Sequence, residues 1–144
     1  MGKGSFQKLD KPEERMYGAR KLLVCGYKAD EHETYLDFLK RIGFEELPVV
    51  FVVDEQQEMT LSDIIEEPHG SGTGKDSGLK RAAILCGFTQ EEIHRILSAH
   101  RSASMPPQLW ATLTPVSEKW TISQLLNELH KEANEIKKRQ GRSK

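Results

Sequence analysis

The chain contains little cysteine and no long apolar stretch, and these two features argue against a disulfide-rich secreted protein and a membrane-spanning protein. Two of its 144 residues are cysteine, Cys25 and Cys86, which are too few for a disulfide-stapled secreted domain and are typical of a reducing compartment. No apolar run approaches the ~20 residues that a membrane-spanning helix needs, and the N-terminus has no apolar signal core. The sequence therefore predicts a soluble intracellular protein without a membrane partner.

An excess of charge of one sign is also missing. The 21 lysines and arginines nearly balance the 22 aspartates and glutamates, and the net charge of −1 offers no general attraction to nucleic acid. Hydrophobic residues make up 37% and charged residues 30%, which is typical of a folded globular protein. We expect one folded domain between a flexible N-terminal arm at residues 1–18 and a basic tail at residues 139–144.

Four predicted strands alternate with four predicted helices between these two ends. Short apolar runs predict the strands, and apolar residues at a spacing of three and four predict the helices. The strand runs are residues 20–27, 47–54, 80–88 and 108–115, and the helical runs are residues 30–43, 59–67, 89–103 and 120–138. This alternation predicts an α/β fold in which helices cover a four-stranded, largely parallel sheet.

The second half of the chain repeats the order of the first half at a constant spacing. The sequence CGY at 25–27 matches CGF at 86–88, which lies 61 positions later, and MTLS at 59–62 matches WTIS at 120–123 at the same spacing. A constant spacing without gaps is the signature of an internal repeat. We therefore predict a tandem βαβα repeat whose copies form one domain around a pseudo-twofold axis.

The predicted copies span residues 19–67 and 80–138, and a Gly/Ser-rich linker at 68–79 joins them. The linker contains HGSGTGKDSG, which invites comparison with a phosphate-binding loop. That motif would require glycine where the chain has His69 and serine or threonine where it has Asp76. It would also lie between a strand and a following helix, whereas here a helix precedes and a strand follows. We interpret the stretch as a flexible linker and predict no nucleotide cofactor.

Residues that follow predicted strands are the candidates for a binding site. Ligands of open α/β sheets bind at the carboxyl ends of the strands, and this rule indicates Gly26, Gly87, Thr114 and Pro115. The sequence contains no C-x-x-C motif and no histidine pair at metal-ligand spacing. No catalytic residue, metal site or cofactor is predicted.

The leading functional prediction is a non-enzymatic binding or regulatory module that recognises a protein partner or a small ligand. Its basis is that residues at regular spacings are helix caps and core positions. Two alternatives stay open. Cys25 and Cys86 occupy equivalent positions and would serve a thiol-based redox protein if the symmetry brought them together. The basic C-terminal tail would suit a nucleic-acid accessory protein, although no nucleic-acid-binding motif accompanies it.

The second half also resembles a known family over roughly residues 82–132. The residues that carry the resemblance follow two strands and begin the last helix: Gly87-Phe88, Ala111, Thr114-Pro115, Trp120-Thr121, Leu125-Leu126 and Glu128. They are similar to the small α/β domains of bacteria and plants catalogued as domain of unknown function 3783. The first half matches that family only through the internal repeat. The resemblance implies a fold but no activity, and it implies the plastid stroma for a plant member that has lost a transit peptide, or otherwise the cytoplasm.

Overall fold

The computed structural model of the chain describes the backbone of residues 15–142 and the side chains of residues 15–138. The main elements within this range are β1 (Lys21–Cys25), α1 (His32–Arg41), β2 (Val49–Val52), α2 (Leu61–Ile65), β3 (Ala82–Cys86), α3 (Gln90–Ser102), β4 (Leu109–Thr112) and α4 (Ile122–Arg142). Every strand and helix that the sequence predicts is present. The strands are shorter than predicted, and the last helix continues to Arg142.

The four strands form one mixed sheet in the order β2-β1-β3-β4. β1 is parallel to β2, and β3 is parallel to β4, but the two central strands β1 and β3 are antiparallel. The prediction of an α/β fold with a four-stranded, largely parallel sheet is confirmed. Because the central pair is antiparallel, β1 and β2 finish at one end of the sheet, and β3 and β4 finish at the other.

Helices cover both faces of the sheet. α1 and α3 pack on the face that receives Leu22 and Val24 of β1, and α2 and α4 pack on the face that receives Leu23 and Cys25. Side chains of a strand alternate between the two faces, so a strand covered on both sides needs a continuous apolar run. This explains why the central strands β1 and β3 consist almost entirely of apolar residues, buried from Leu22 to Cys25 and throughout β3.

Threonines define where the helices α2, α3 and α4 begin. The hydroxyl of Thr89 accepts a hydrogen bond from the amide of Glu92 at 3.1 Å, and the Glu92 carboxylate accepts one from the amide of Thr89 at 3.0 Å. Thr121 and Gln124 form the same reciprocal pair at the start of α4. Thr60 accepts from the amide of Asp63 at 3.2 Å. Each cap satisfies amides that a helix start would otherwise leave unpaired, and contributes about 1 kcal/mol.

The segment predicted as a flexible linker is instead docked along the outer edge of β2. The amide of Gly70 donates to the carbonyl of Val49 at 2.8 Å, and the amide of Phe51 donates to the carbonyl of Ser71 at 2.8 Å. The amide of Val49 donates to the Nδ1 atom of His69 at 3.0 Å. The physical reason is that the backbone N–H and C=O groups at the edge of a sheet need hydrogen-bond partners. The backbone of Gly70 and Ser71 and the ring of His69 supply these partners.

The two predicted ends are only partly within the described range. Of the arm predicted at residues 1–18, residues 1–14 lie outside it. The described part, residues 15–18, is bonded to the end of β3, where Met16 donates its amide to the carbonyl of Phe88 at 2.8 Å and Tyr17 accepts from the amide of Gly87 at 3.1 Å. The basic tail predicted at residues 139–144 lies outside the range of described side chains.

Candidate functional site

The four residues predicted to bind a ligand do not come together. Gly26 follows β1, whereas Gly87 follows β3, and these strands are antiparallel neighbours. Thr114 and Pro115 follow β4, which is parallel to β3. Gly26 therefore lies at one end of the sheet, and the other three residues lie at the opposite end.

Three of these residues already have a role in the fold. Gly26 and Gly87 have positive φ angles of 85° and 69°. A Cβ atom on Gly26 would lie 2.5 Å from the carbonyl oxygen of Leu79, and one on Gly87 would lie 2.6 Å from that of Gly18. At each place, backbone that leads into the other central strand crosses the glycine. The hydroxyl of Thr114 accepts from the amide of Ser117 at 3.0 Å and so closes the turn after β4.

The two cysteines also lie far apart. Cys25 is paired with Ala82 and Cys86 with Lys21, at opposite ends of the antiparallel pair. These positions are four residue steps apart along the strand, or about 13 Å, whereas a disulfide needs Cα atoms about 4.4–6.8 Å apart. Both cysteines are fully buried, and burial raises the pKa of each thiol to about 12. This geometry does not favour a redox pair.

The most distinctive surface is the free edge of β4. In parallel strands, alternate residues bond to the neighbour on one side. Leu109 and Leu113 donate their amides to carbonyls at β3, Arg81 and Leu85, each at 3.0 Å. The N–H and C=O groups of Trp110 and Thr112 therefore point away from β3. Within residues 15–142, no strand or loop lies beside them.

The opposite edge of the same sheet shows what such groups normally require. Val49 and Phe51 of β2 are the residues whose backbone points outward, and the docked segment pairs with both. Trp110 and Thr112 stand 61 positions after them. All four β2 residues are buried, whereas all four β4 residues are only partly buried. We call residues Leu109–Thr112 with these outward groups the β4 edge.

The difference between the two edges has a local cause. Pro68 follows α2, and the Nζ atom of Lys21 binds the carbonyls of Ile65 at 2.7 Å and Glu67 at 2.6 Å. A proline and a lysine at the last carbonyls terminate a helix, so the chain turns back along β2. The position 61 residues after Pro68 is Leu129, which can continue a helix. The position 61 residues after Lys21 is Ala82, which has no group to bind helix carbonyls. α4 therefore continues, and no returning segment of residues 15–142 reaches β4.

Helices border the β4 edge on both sides. A groove with a volume of about 320 Å³ follows it, with Leu97 of α3 on one side and Leu129 and Glu132 of α4 on the other. A second cleft of about 390 Å³ opens where α3 ends, between His100, Met105 and Trp110. The edge is thus accessible along its length and has apolar walls.

His100 is the one buried side chain of the described range with an unpartnered polar atom, its Nε2. Its ring meets the indole of Trp110 edge-to-face, with ring centroids 5.1 Å apart at an angle of 88°. Burial lowers the pKa of His100, so the ring is neutral at neutral pH. The Nε2 atom of His100 is therefore a buried hydrogen-bonding group next to the indole ring of Trp110.

β4 is short and has Pro107 and Pro115 near its ends, but its own four residues include no charged residue and no proline. Natural edges carry charged residues, prolines or bulges that discourage pairing with other chains, whereas the four residues of β4 are Leu109, Trp110, Ala111 and Thr112. The described residues contain no group of three or more histidine, cysteine, aspartate or glutamate side chains that could hold a metal ion. They also contain no helix long and apolar enough to cross a membrane. The β4 edge therefore offers backbone pairing and apolar contact.

A comparison with protein families gives a match on this half of the chain. Residues 81–136 match the model described as Domain of unknown function (DUF3783). The predicted resemblance is thus confirmed for the second half. The matched segment contains β3, α3, β4 and most of α4, so it includes the β4 edge and both flanking helices. Neither curated proteins nor solved structures gave a match.

The residues of the β4 edge were absent from the sequence-based prediction, which placed the site at strand ends. A signal for them exists in the sequence. The predicted helix at 59–67 stops before a proline and a Gly/Ser-rich segment, whereas its counterpart at 120–138 has neither. A cover for the last strand is therefore missing in the second half, and this difference could have directed attention to Trp110 and Thr112.

Proposed function

We propose that the protein is a binding module that takes an extended segment of a protein partner along the β4 edge. The observation that carries this proposal is the contrast between β2, where the docked segment pairs with both outward groups of Val49 and with the amide of Phe51, and β4, whose outward groups at Trp110 and Thr112 face a groove. Strand addition to an open edge is a general mode of peptide recognition, in which backbone hydrogen bonds give affinity and flanking pockets give selectivity.

The docked segment on β2 shows which groups can pair with an edge of this sheet, although it is a run of turns and not an extended strand. It uses its own backbone and the imidazole of His69 as hydrogen-bonding groups, and has glycine where it passes closest to Phe51. An occupant of β4 would meet the same pattern of donors and acceptors. The walls differ, because Leu97, Trp110 and Leu129 favour apolar side chains in the occupant.

The proposal gains support if the halves of the chain arose by duplication, as the tandem βαβα prediction holds. Two contacts between residues 61 positions apart favour a pseudo-twofold relation. Leu23 pairs with Ile84 in the centre of the sheet, and Thr60 forms an antiparallel bridge with Thr121 between the starts of α2 and α4. β4 would then be the counterpart of β2, and its uncovered edge would be a departure from the ancestral unit.

A proline at Thr112 tests the proposal. Thr112→Pro removes an outward amide and no bond to β3, and edge positions tolerate proline. Thr112→Ala is the matched control, since it also removes the side chain but keeps the amide. Proteins retained by the unaltered protein would be purified, and their affinities for the two variants measured by calorimetry. We expect the proline variant to bind at least tenfold more weakly, which corresponds to about 1.4 kcal/mol.

Hydrogen exchange locates the contact independently of any substitution. The amides of Trp110 and Thr112 in the unaltered protein should become protected when a purified partner is added. A partner that binds both Thr112 variants equally, or that protects the region of Gly26 and leaves β4 unprotected, would refute the β4 edge as the binding surface.

A further inference from the structure

We infer that the strand seated on the β4 edge is β4 of a second copy of this chain, so that two four-stranded sheets join into one sheet of eight strands. This inference rests on the proposed function, because it names the partner of the same edge. It is carried by the spacing of the outward groups, by the residue at the centre of β4, and by the apolar side of α4.

The outward groups of β4 are complementary to themselves. In an antiparallel pair, residues with facing N–H and C=O groups exchange two hydrogen bonds, and the next pair along exchanges none. Trp110 and Thr112 both point outward and are separated by Ala111. When two β4 strands are placed antiparallel about Ala111, Trp110 of each copy faces Thr112 of the other. The outward N–H and C=O groups of Trp110 and Thr112 in both copies are then all paired, and no third chain is needed.

The residue at the centre of this arrangement is small. Ala111 would face Ala111 of the second copy in a pair without hydrogen bonds, where the Cα atoms of antiparallel strands come closest, about 4.5 Å apart. Trp110 would face Thr112 of the second copy on the side of α3, and pairs of aromatic and β-branched residues stabilise sheets. No charged side chain of β4 faces another across the axis, since β4 contains none.

The apolar side of α4 extends beyond the core of one copy. Ile122, Leu125 and Leu126 are buried. Leu129 and Ala133 follow at helical spacing, are partly buried, and line the grooves beside β4. Ile136 continues the same side and is 50% exposed. A twofold axis that relates antiparallel strands of one sheet is perpendicular to that sheet, so the two α4 helices would lie side by side on one face and cover this stripe.

The test is the mass of the protein in solution across a wide concentration series, measured by light scattering and by sedimentation equilibrium. The unaltered protein and Thr112→Ala should approach twice the monomer mass of 16.4 kDa. We expect Thr112→Pro to raise the dissociation constant of the dimer more than tenfold. The amides of Trp110 and Thr112 in the unaltered protein should exchange more slowly as its concentration rises.

A second pair of variants avoids any change to the sheet, in case proline impairs folding. Ile136→Lys places a charge on the exposed part of the α4 stripe and should also weaken the dimer more than tenfold. Val116→Lys is its matched control, because Val116 is 64% exposed in the turn before α4 and is not part of the β4 edge. We expect Val116→Lys to leave the dimer unchanged.

The outcomes separate this inference from the proposed function. A protein that remains monomeric at all concentrations overturns the second copy as occupant, and protection of the β4 amides by a different purified partner would then still support the binding module. A dimer that Thr112→Pro and Ile136→Lys leave intact, and in which the Trp110 and Thr112 amides exchange freely, overturns the inference by placing the contact elsewhere.

Discussion

Arg20 and Glu92 are joined by two parallel hydrogen bonds, each 2.7 Å long, which link the start of β1 to the first turn of α3. The residues 61 positions away from each, Arg81 and Glu31, form a similar pair at 3.3 and 3.1 Å. In both pairs, an arginine of one half of the chain reaches a glutamate of the other. The ion pairs therefore lock the halves together at both ends of the central strands.

Substitution of these arginines by lysine should affect the two pairs unequally. Lysine keeps the charge and loses the planar two-pronged geometry. We expect Arg20→Lys to lower the free energy of unfolding by about 1–2 kcal/mol, because this pair is short and largely shielded, with 24% and 16% of its side chains exposed. Arg81→Lys should lower the free energy of unfolding by less, because the side chains of Arg81 and Glu31 are more exposed, at 30% each. Urea denaturation measures both. An equal or larger loss for Arg81→Lys would contradict this ranking.

Acid should weaken the Arg20 pair in a defined direction. Burial alone would raise the pKa of Glu92, but hydrogen bonds from Arg20 and the Thr89 amide, with the charges of Arg20 and Arg95, hold that pKa below its ordinary value of 4.5. A carboxyl with a lowered pKa in the folded state stabilises the protein above its unfolded pKa, and this contribution is lost as the pH falls through the folded pKa. The unfolding free energy of Glu92→Gln should therefore fall less steeply below pH 4.5 than that of the unaltered protein.

The glycines after the two central strands should be far less tolerant of alanine than a loop glycine. Gly26→Ala and Gly87→Ala place a Cβ within 2.6 Å of backbone oxygens. Gly74 also has a positive φ, of 88°, but a Cβ there would meet nothing within 4 Å. We expect Gly74→Ala to cost about 1–2 kcal/mol from its backbone conformation alone. Gly26→Ala and Gly87→Ala should lower the free energy of unfolding by several times this amount, and thermal unfolding measures the difference. Similar losses at all three would mean that the crossing backbone moves easily.

Much of this fold follows from local patterns in the sequence. Apolar runs located all four strands, and apolar residues at a spacing of three and four located the helices. These features depend on neighbours along the chain. The order of strands was not predictable in this way, because the pairing of β1 with β3 depends on contacts between residues about 60 positions apart.

The candidate site was harder to predict for the same reason. The rule that ligands bind at strand ends assumes that all strands finish together, and the antiparallel central pair separates Gly26 from Gly87. Gly/Ser-rich composition suggested flexibility at His69–Ser71, whereas small residues also allow the close approach to β2 that is observed. The uncovered edge at Trp110 and Thr112 results from the absence of a segment that returns along β4, and the sequence indicates this only indirectly, through the lack of a counterpart to Pro68 and the Gly/Ser-rich segment.

Both cysteines should be inert in the folded protein. Only the thiolate reacts with disulfide reagents, and both thiols are fully buried with pKa values raised to about 12. We expect labelling by a disulfide reagent at neutral pH to proceed only at the rate of unfolding, and to become immediate in denaturant. Cys25→Ser and Cys86→Ser should label through the remaining thiol at the rate at which each variant unfolds. Rapid labelling of a native thiol, or recovery of a Cys25–Cys86 disulfide, would revive the redox alternative.

His100 should make the protein less stable in mild acid. Burial lowers its pKa below the ordinary value of 6.5, so the unfolded chain takes up a proton before the folded chain does. The free energy of unfolding should therefore fall as the pH drops through 6.5 and continue to fall until the folded pKa is reached. His100→Phe, which fills the site between Phe38 and Trp110 without a polar atom, should show a smaller loss over this range, because its side chain does not titrate. Urea denaturation at a series of pH values measures the difference.

The stability of the same variant at neutral pH tests the unpartnered Nε2 atom of His100 separately. At neutral pH, His100→Phe should be at least as stable as the unaltered protein, since replacing an unpartnered buried polar group by an apolar one of similar shape is neutral or favourable. A marked loss of stability at neutral pH would instead mean that the Nε2 atom of His100 has a partner in solution, and a dependence on pH equal to that of the unaltered protein would mean that burial does not shift its titration.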